Sequence, residues 1–268
     1  MSTRPEAATA FHSLHQDFLI LPNAWDAGSA KLIELAGAKA IATSSAAVAW
    51  ARGYADGHHL PFEKLLVTLE EIARVVALPI SVDMEGGYAD DLNEVGRNVM
   101  ALIERGAVGI NIEDGSGDHE LHLEKIRVAR DAAGRKHINL YINARADVFL
   151  KKLVPAEAAV EEAIRRGRRC LEAGASGVFV PFAMNEDDIK TLAAALPGPL
   201  NIMGWAGVPN AATLKALGVR RLSAATSVFH AAANALRAAS ALFLRDGDSD
   251  ALAARGGERP DMNALMRG

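Results

Sequence analysis

Cysteine is nearly absent from the sequence. The single Cys170 rules out an intramolecular disulfide framework and makes a reducing, cytoplasmic setting the expectation. Aromatic residues are scarce too, at 5% against 50% hydrophobic residues overall, so Ala, Val, Ile and Leu must build the core. That balance suits helices packed on a parallel sheet better than an all-β sandwich. No uninterrupted apolar run reaches the ~18 residues that cross a bilayer, so no membrane span is expected. The start, MSTRPEAATAFHSL, lacks the apolar stretch of a secretory signal. A formal charge of −4 gives no basic surplus for nucleic acid. The one basic cluster, Arg165, Arg166, Arg168 and Arg169, follows Glu157, Glu161 and Glu162. It reads as a solvated helix face with acids first and bases last.

What the sequence does have is alternation. Eight short apolar runs read as strands: DFLILPNAWD, KAIATSS, PISVDME, VGINIED, INLYINARAD, GVFVP, LNIM and RRLSAA. Between them lie stretches such as LNEVGRNVMALIERG and PAEAAVEEAIRRGRRCLEAG, with apolar residues at the spacing of an amphipathic helix. ELAGAKAI, ERGAVGINI, EAGASGVFV and KALGVRRLS share one grammar: a helix stops at Gly37, Gly106, Gly174 or Gly218 and a strand follows. The pattern predicts a single (β/α)8 TIM barrel over residues 1–268, a fold of ~250 residues, with 224–268 an additional C-terminal helical segment. A doubly wound open sheet is the other arrangement. It would want a G-x-G-x-x-G turn after its first strand, where this chain has NAWDAGSA.

Barrel chemistry sits at the C-terminal ends of the strands. The third run ends in Asp83, Met84 and Glu85, the fourth in Glu113 and Asp114, and the fifth in Asn143, Arg145 and Asp147. Neighbouring strands lie ~4.8 Å apart and alternate residues share a face. Asp83 and Glu85 can thus face the mouth with Glu113 opposite. Three carboxylates so close repel unless they share a cation, and oxygen-only ligation suits Mg²⁺, or Mn²⁺. Asp114 and Asp147 read equally well as capping or structural pairs. Arg145 is the counter-charge, either gripping a substrate carboxylate or bridging to Glu113 or Asp147. The small residues Thr43, Ser44, Ser45 and Ala46 let an anion come close.

In that order and spacing, NAWD, TSSAAVAWARGYAD, SVDMEGGY, NIEDG and INARADVFL resemble the isocitrate lyase/phosphoenolpyruvate mutase superfamily, from about Leu21 to Ser227. The resemblance implies that Asp83 binds Mg²⁺ directly and that Glu85 and Glu113 hold it mainly through water. It implies that Ser44, Ser45 and Ala46 cradle a substrate carboxylate, that Arg145 binds an oxyanion or carboxylate, and that Trp25 and Asp26 line the pocket. Asp56 falls on the loop after the second strand. It further implies α-oxyacid substrates, an enolate-like intermediate, and a homo-oligomer (dimer or tetramer) whose C-terminal helices swap between subunits.

The chain departs from the family's carbon–carbon lyases, which carry a K-[KR]-C-G-H loop after the fourth strand. Here Gly115-Ser116-Gly117-Asp118-His119-Glu120 is short and lacks Cys, and Cys170 reads as a packing residue. The longer K-T-N-S-like loop of the mutases is also absent. The resulting expectation is a Mg²⁺-dependent lyase of a small 2-oxo (di)carboxylate, most simply oxaloacetate decarboxylation. The alternatives are a phosphoenolpyruvate mutase or phosphonopyruvate hydrolase, a 2-methylisocitrate-type lyase, and a non-catalytic oxyacid-binding protein. Among the histidines, His58, His59, His119 and His122 read mainly as surface or core residues. His230, early in the last helical segment, is the candidate proton donor, with Asp56 and Arg145 as catalytic partners.

Overall fold

A computed structural model describes residues 4–257 and 260–267; part of the expected tail, at Glu258, Arg259 and Gly268, lies outside the described residues. After helix α1 (Arg4–Leu14) come β1 (Leu19–Leu21), β2 (Asn23–Ala24), β3 (Ile41–Thr43), β4 (Ile80–Asp83), β5 (Ala107–Glu113), β6 (Tyr141–Arg145), β7 (Gly177–Val180), β8 (Leu200–Met203) and β9 (Arg221–Ser223). Every pairing is parallel, in the order β1-β9-β8-β7-β6-β5-β4-β3-β2. β1 and β2 stand at opposite ends of that order, yet only Pro22 separates them in the chain. Proline has no N–H to give a ladder. The first strand therefore breaks there, its first half pairing with β9 and its second with β3. The ring closes through Pro22. The expected continuous strand DFLILPNAWD is corrected to these two short pieces, which together fill one of eight positions in a (β/α)8 barrel.

The outer layer is α2 (Ala27–Leu35), α3 (Ser45–Ala51), α4 (Phe62–Val75), α5 (Leu92–Glu104), α6 (His119–Arg135), α7 (Ala159–Glu172), α8 (Glu186–Ala195) and α9 (Ala211–Ala216), followed by α10 (Ser227–Asp246), α11 (Ser249–Arg255) and α12 (Met262–Leu265). α5 buries Val95, Val99, Leu102 and Ile103, and α4 buries Leu65, Leu69 and Ile72, as their period predicts. Gly37, Gly106, Gly174 and Gly218 all have φ between 93° and 109°, the left-handed turn expected of them. No helix among the described residues is long and apolar enough to cross a membrane.

The inside of the barrel is unusual for its class, which normally fills with branched aliphatics. Its lower end is plugged by α1. Phe11 is fully buried there, and the His15 and Tyr141 rings stack at 3.8 Å. Above the plug the interior is polar. Asn143 donates to Asn111 at 2.9 Å, and Asn201 donates to Ser223 Oγ at 3.2 Å. Arg221 on β9 is sealed inside, and its Nη2 reaches across the ring to Asn111 Oδ1 at 3.5 Å. Burial pushes its guanidinium down to about 10. These polar rungs hold the strand ends in register directly under the mouth.

Two acids at the mouth are structural. Asp114 accepts from the Asp147 backbone N–H at 2.9 Å and from Arg166 Nη1 on α7 at 2.7 Å. Asp147, fully buried, accepts from Arg145 Nε at 2.6 Å and Nη2 at 3.1 Å. Together they fasten the ends of β5 and β6 to α7 and orient Arg145.

Gly109 shows how tight the plug is, since a Cβ there would lie 2.7 Å from the Phe11 ring and 3.0 Å from Ser81 Oγ. Gly109→Ala should lose about 1–3 kcal/mol in urea unfolding, the usual range for an overpacked core. The loss should shrink when Phe11→Leu makes room.

Candidate active site

A cavity of about 300 Å³ opens at the C-terminal ends of the strands, where a barrel of this kind does its chemistry. Ser44, Ser45 and Ala46 line it from the start of α3, Asp56 from the following loop, Asp83 from the end of β4, Arg145 from the end of β6 and His230 from the first turn of α10. The barrel thus brings together seven of the residues singled out from sequence. A groove of about 710 Å³ lined by Arg4, Glu70, Arg74 and Glu104 is larger, but it lies on α1, α4 and α5 away from the strand ends.

Trp25 and Asp26, expected to line the pocket, stand just behind the residues that border the cavity. Asp26 caps α2, accepting from the Ser29 N–H at 2.7 Å while Ser29 Oγ accepts from the Asp26 N–H. Trp25 packs edge-on against Phe229, 5.1 Å between centroids, and Phe229 in turn meets Trp50 in the cavity wall. The carboxylate cradle is partly taken by the protein itself: the Ser45 N–H donates to Asp83 Oδ2 at 3.2 Å.

The expected triad of acids is looser than a shared ligand shell. Among the described residues, no group of three or more His, Cys, Asp and Glu side chains is placed to hold a metal ion. Asp83 faces the cavity. Glu85 has a left-handed backbone, φ 49°, that turns its side chain toward the loop after α3. There it accepts from the His58 N–H at 2.5 Å and from the Tyr88 hydroxyl at 3.2 Å, and it pairs with His58 Nδ1 at 3.1 Å. The Gly86 N–H donates to His58 Nε2, which places the ring proton on Nδ1, facing Glu85. Glu113 is drawn to Arg145, 2.6 Å from Nη1. It also borders a second cavity of about 230 Å³ formed with the short turn at Gly115, Ser116 and Gly117.

The three acids still feel one another. Burial pushes Glu113 up to about 8; Arg145 opposes this, while Asp83, Asp147 and Glu85 add to it. Burial also raises Glu85, with His58 opposing and Asp83 adding. Burial is the larger cause for both, and the neighbouring carboxylates add to it. The same crowd of carboxylates raises Arg145 above its ordinary range despite its burial.

The remaining histidines and the cysteine fall where sequence put them. His119 and His122 are buried on α6, and burial pushes His122 down to about 4, so it stays neutral. Cys170 is buried in α7 with its thiol pushed up to about 12, a packing residue. What sequence reading missed is the opposite wall: Leu150, Phe179, Phe182, Met203 and Trp205, with Asn111 at the base. For Phe179, Phe182, Met203 and Trp205 the signal was positional, since each lies at or just past the end of a strand that the alternation had identified. The left-handed φ of 62° at Phe182 had no such signal.

Comparison with known proteins fits this fold. The sequence model of the phosphoenolpyruvate phosphomutase family matches residues 11–244. An uncharacterized Mycobacterium tuberculosis protein is 32% identical over 237 residues, 86% of this chain and 89% of that one. The 2-methylisocitrate lyase of Bacillus subtilis is 27% identical over 214 residues, 74% of this chain and 67% of that one. A Burkholderia cenocepacia J2315 crystal structure described as a phosphonomutase is 38% identical, with a TM-score of 0.83 over 87% of this chain and 98% of that one. The chain therefore belongs to the phosphoenolpyruvate phosphomutase family, within the superfamily that its strand-end motifs resemble.

Proposed function

We propose that the chain is a Mg²⁺-dependent lyase that breaks a carbon–carbon bond of a small 2-oxo acid. One observation carries the reading: Asp83, Arg145, Asp56 and His230 line a single cavity at the barrel mouth, with Glu113 and Glu85, both raised chiefly by burial, standing behind it. The donors are all oxygen, which fits a hard ion. Asp83 would hold it directly, and Glu85 and Glu113, standing behind, would hold it through water. Bound there, the ion supplies positive charge to the 2-oxo oxygen of the substrate.

The protein's own groups do the rest. Asp147 takes two of the Arg145 N–H groups and Glu113 pairs with Nη1 by charge, and together they hold the guanidinium in place; its remaining donors meet the substrate carboxylate. In the simplest case, oxaloacetate, the bond between C3 and C4 breaks, CO₂ leaves, and its electron pair forms the enolate. His230, held against Trp50 at 5.4 Å between ring centroids, returns a proton to C3. Asp56, which borders the same cavity from the loop after α3, would orient that step. The short turn after β5 supports this reading over 2-methylisocitrate-type cleavage, since it offers no acid–base cysteine. A phosphorus substrate is the second reading, favoured by the description of the Burkholderia structure. It would want more cations than the single guanidinium in the cavity lining.

Assembly belongs to the same proposal. α10 buries none of its residues, Leu236 is 70% and Leu244 84% exposed, and Ile20 on the outside of β1 is 53% exposed. Copies of the chain that exchange α10 would cover both surfaces.

Three outcomes follow. Purified protein with Mg²⁺ should convert oxaloacetate to pyruvate and CO₂ by NMR. Chelation or Asp83→Ala should abolish this, and His230→Asn should slow it about 10²-fold or more; turnover of phosphonopyruvate or phosphoenolpyruvate instead would favour the second reading. With chelator present, stability should fall as pH climbs from the unfolded carboxyl's ~4.3 to about 8, because the native Glu113 keeps a proton that the unfolded chain has released. Added Mg²⁺ should flatten that slope. Sedimentation should show a dimer or tetramer that Leu236→Asp dissociates.

A further inference from the structure

We propose that the natural substrate carries an alkyl or aryl substituent beyond its 2-oxo acid head, and that oxaloacetate, which has none, is a weak ligand. This rests on the 2-oxo acid reading above and narrows it. The cavity has two unlike halves set by topology. Ser44, Ser45 and Asp83 come from the ends of β3 and β4, and Phe179, Phe182, Met203 and Trp205 from the ends of β7 and β8, which lie across the ring. The first half offers hydroxyls, amides and charge. The second offers aromatic faces and a thioether.

The apolar half is built rather than incidental. Phe179 is 6% and Met203 7% exposed although both border the cavity, so they are packed in place. Phe182 has a φ of 62°, a conformation that bulky side chains rarely adopt. It holds its ring 5.5 Å from that of Trp205. Strain of this kind persists where surrounding structure enforces it, and it clusters at ligand sites.

Charge points the same way. The lining holds one guanidinium and no lysine, and Arg145 is already shared by Glu113 and Asp147. Arg221 is sealed below the site and reaches only Asn111 across the ring. Besides Arg145, the titratable side chains in the lining are Asp56, Asp83 and His230. A second carboxylate lying on the β7–β8 wall would lose its water there, facing aromatic carbon and meeting no second arginine or lysine. An apolar substituent loses nothing and gains about fourfold in affinity per methylene buried. The volume, about 300 Å³, is at the small end of ligand pockets, roughly 300–1,000 Å³. It suits a compact branched or ring substituent.

The test is binding calorimetry on the full chain with Mg²⁺, using oxalate, pyruvate, 4-methyl-2-oxopentanoate, phenylpyruvate and oxaloacetate. Oxalate should bind, since it needs the polar half alone. 4-Methyl-2-oxopentanoate or phenylpyruvate should bind at least ~10-fold more tightly than pyruvate, and oxaloacetate no more tightly than pyruvate. Trp205→Ala and Phe182→Gly should each cut the gain of the apolar ligands, read as a ratio to oxalate in the same variant. Trp205 is 40% exposed, and glycine suits the left-handed backbone at 182, so neither change threatens the fold. Oxalate binding without any gain for the apolar ligands, or oxaloacetate binding most tightly, overturns this inference and leaves the 2-oxo acid reading standing. Failure of oxalate itself to bind overturns both.

Discussion

One guanidinium lines the cavity at the barrel mouth, among more carboxylates than it can neutralise. Arg145 touches Glu113 and Asp147, each at 2.6 Å, while Asp83 and Glu85 lie close enough to raise Glu113 further. Like charges in a buried setting interact far more strongly than in water. The rest of the site can be understood as the management of that imbalance. Asp147 is held by Arg145, and Asp114 is held by Arg166 and the Asp147 amide. Glu85 is turned aside to His58 and Tyr88. Asp83 is left facing the cavity, its carboxylate accepting from two backbone amides, those of Ser45 at the start of α3 and Glu85. A carboxylate left in that position, with two more behind it, is what a hard cation needs.

The polar column beneath the mouth belongs to the same design. Asn111, Asn143, Asn201, Ser223 and Arg221 occupy space that aliphatic side chains fill in most barrels. Hydrogen bonds along this column replace the directionless packing of a hydrocarbon core with fixed geometry. The strand ends above it are therefore held at set positions. Fixed donors at fixed positions are the main requirement for stabilising a charge that appears only during reaction. On the far wall the protein uses aromatic rings and methionine instead, packed in place.

Much of this was legible in the sequence. The eight apolar runs and the four helix-ending glycines defined the barrel, because period and left-handed turns are local properties. The strand-end rule then located Asp83, Glu113 and Arg145 without any contact information. Three things resisted. Pro22 was visible, but its power to split a strand between two neighbours depends on ring closure, which is not local. Asp26 lies between an apparent strand and a pocket, and the same carboxylate can cap a helix or face a ligand; the backbone decided for the cap. The left-handed conformations of Glu85 and Phe182, residues that rarely adopt it, set the aim of one acid and one ring, and tertiary packing alone imposes them.

Mn²⁺ is the most direct probe of the charge-starved mouth, since its electron paramagnetic resonance signal reports uptake without turnover. Titrated with oxalate present, the wild-type chain should bind Mn²⁺ stoichiometrically and Asp83→Ala should not. Free-ion signal persisting at every protein concentration for the wild type would show that these carboxylates satisfy one another, and the account built on them would fail.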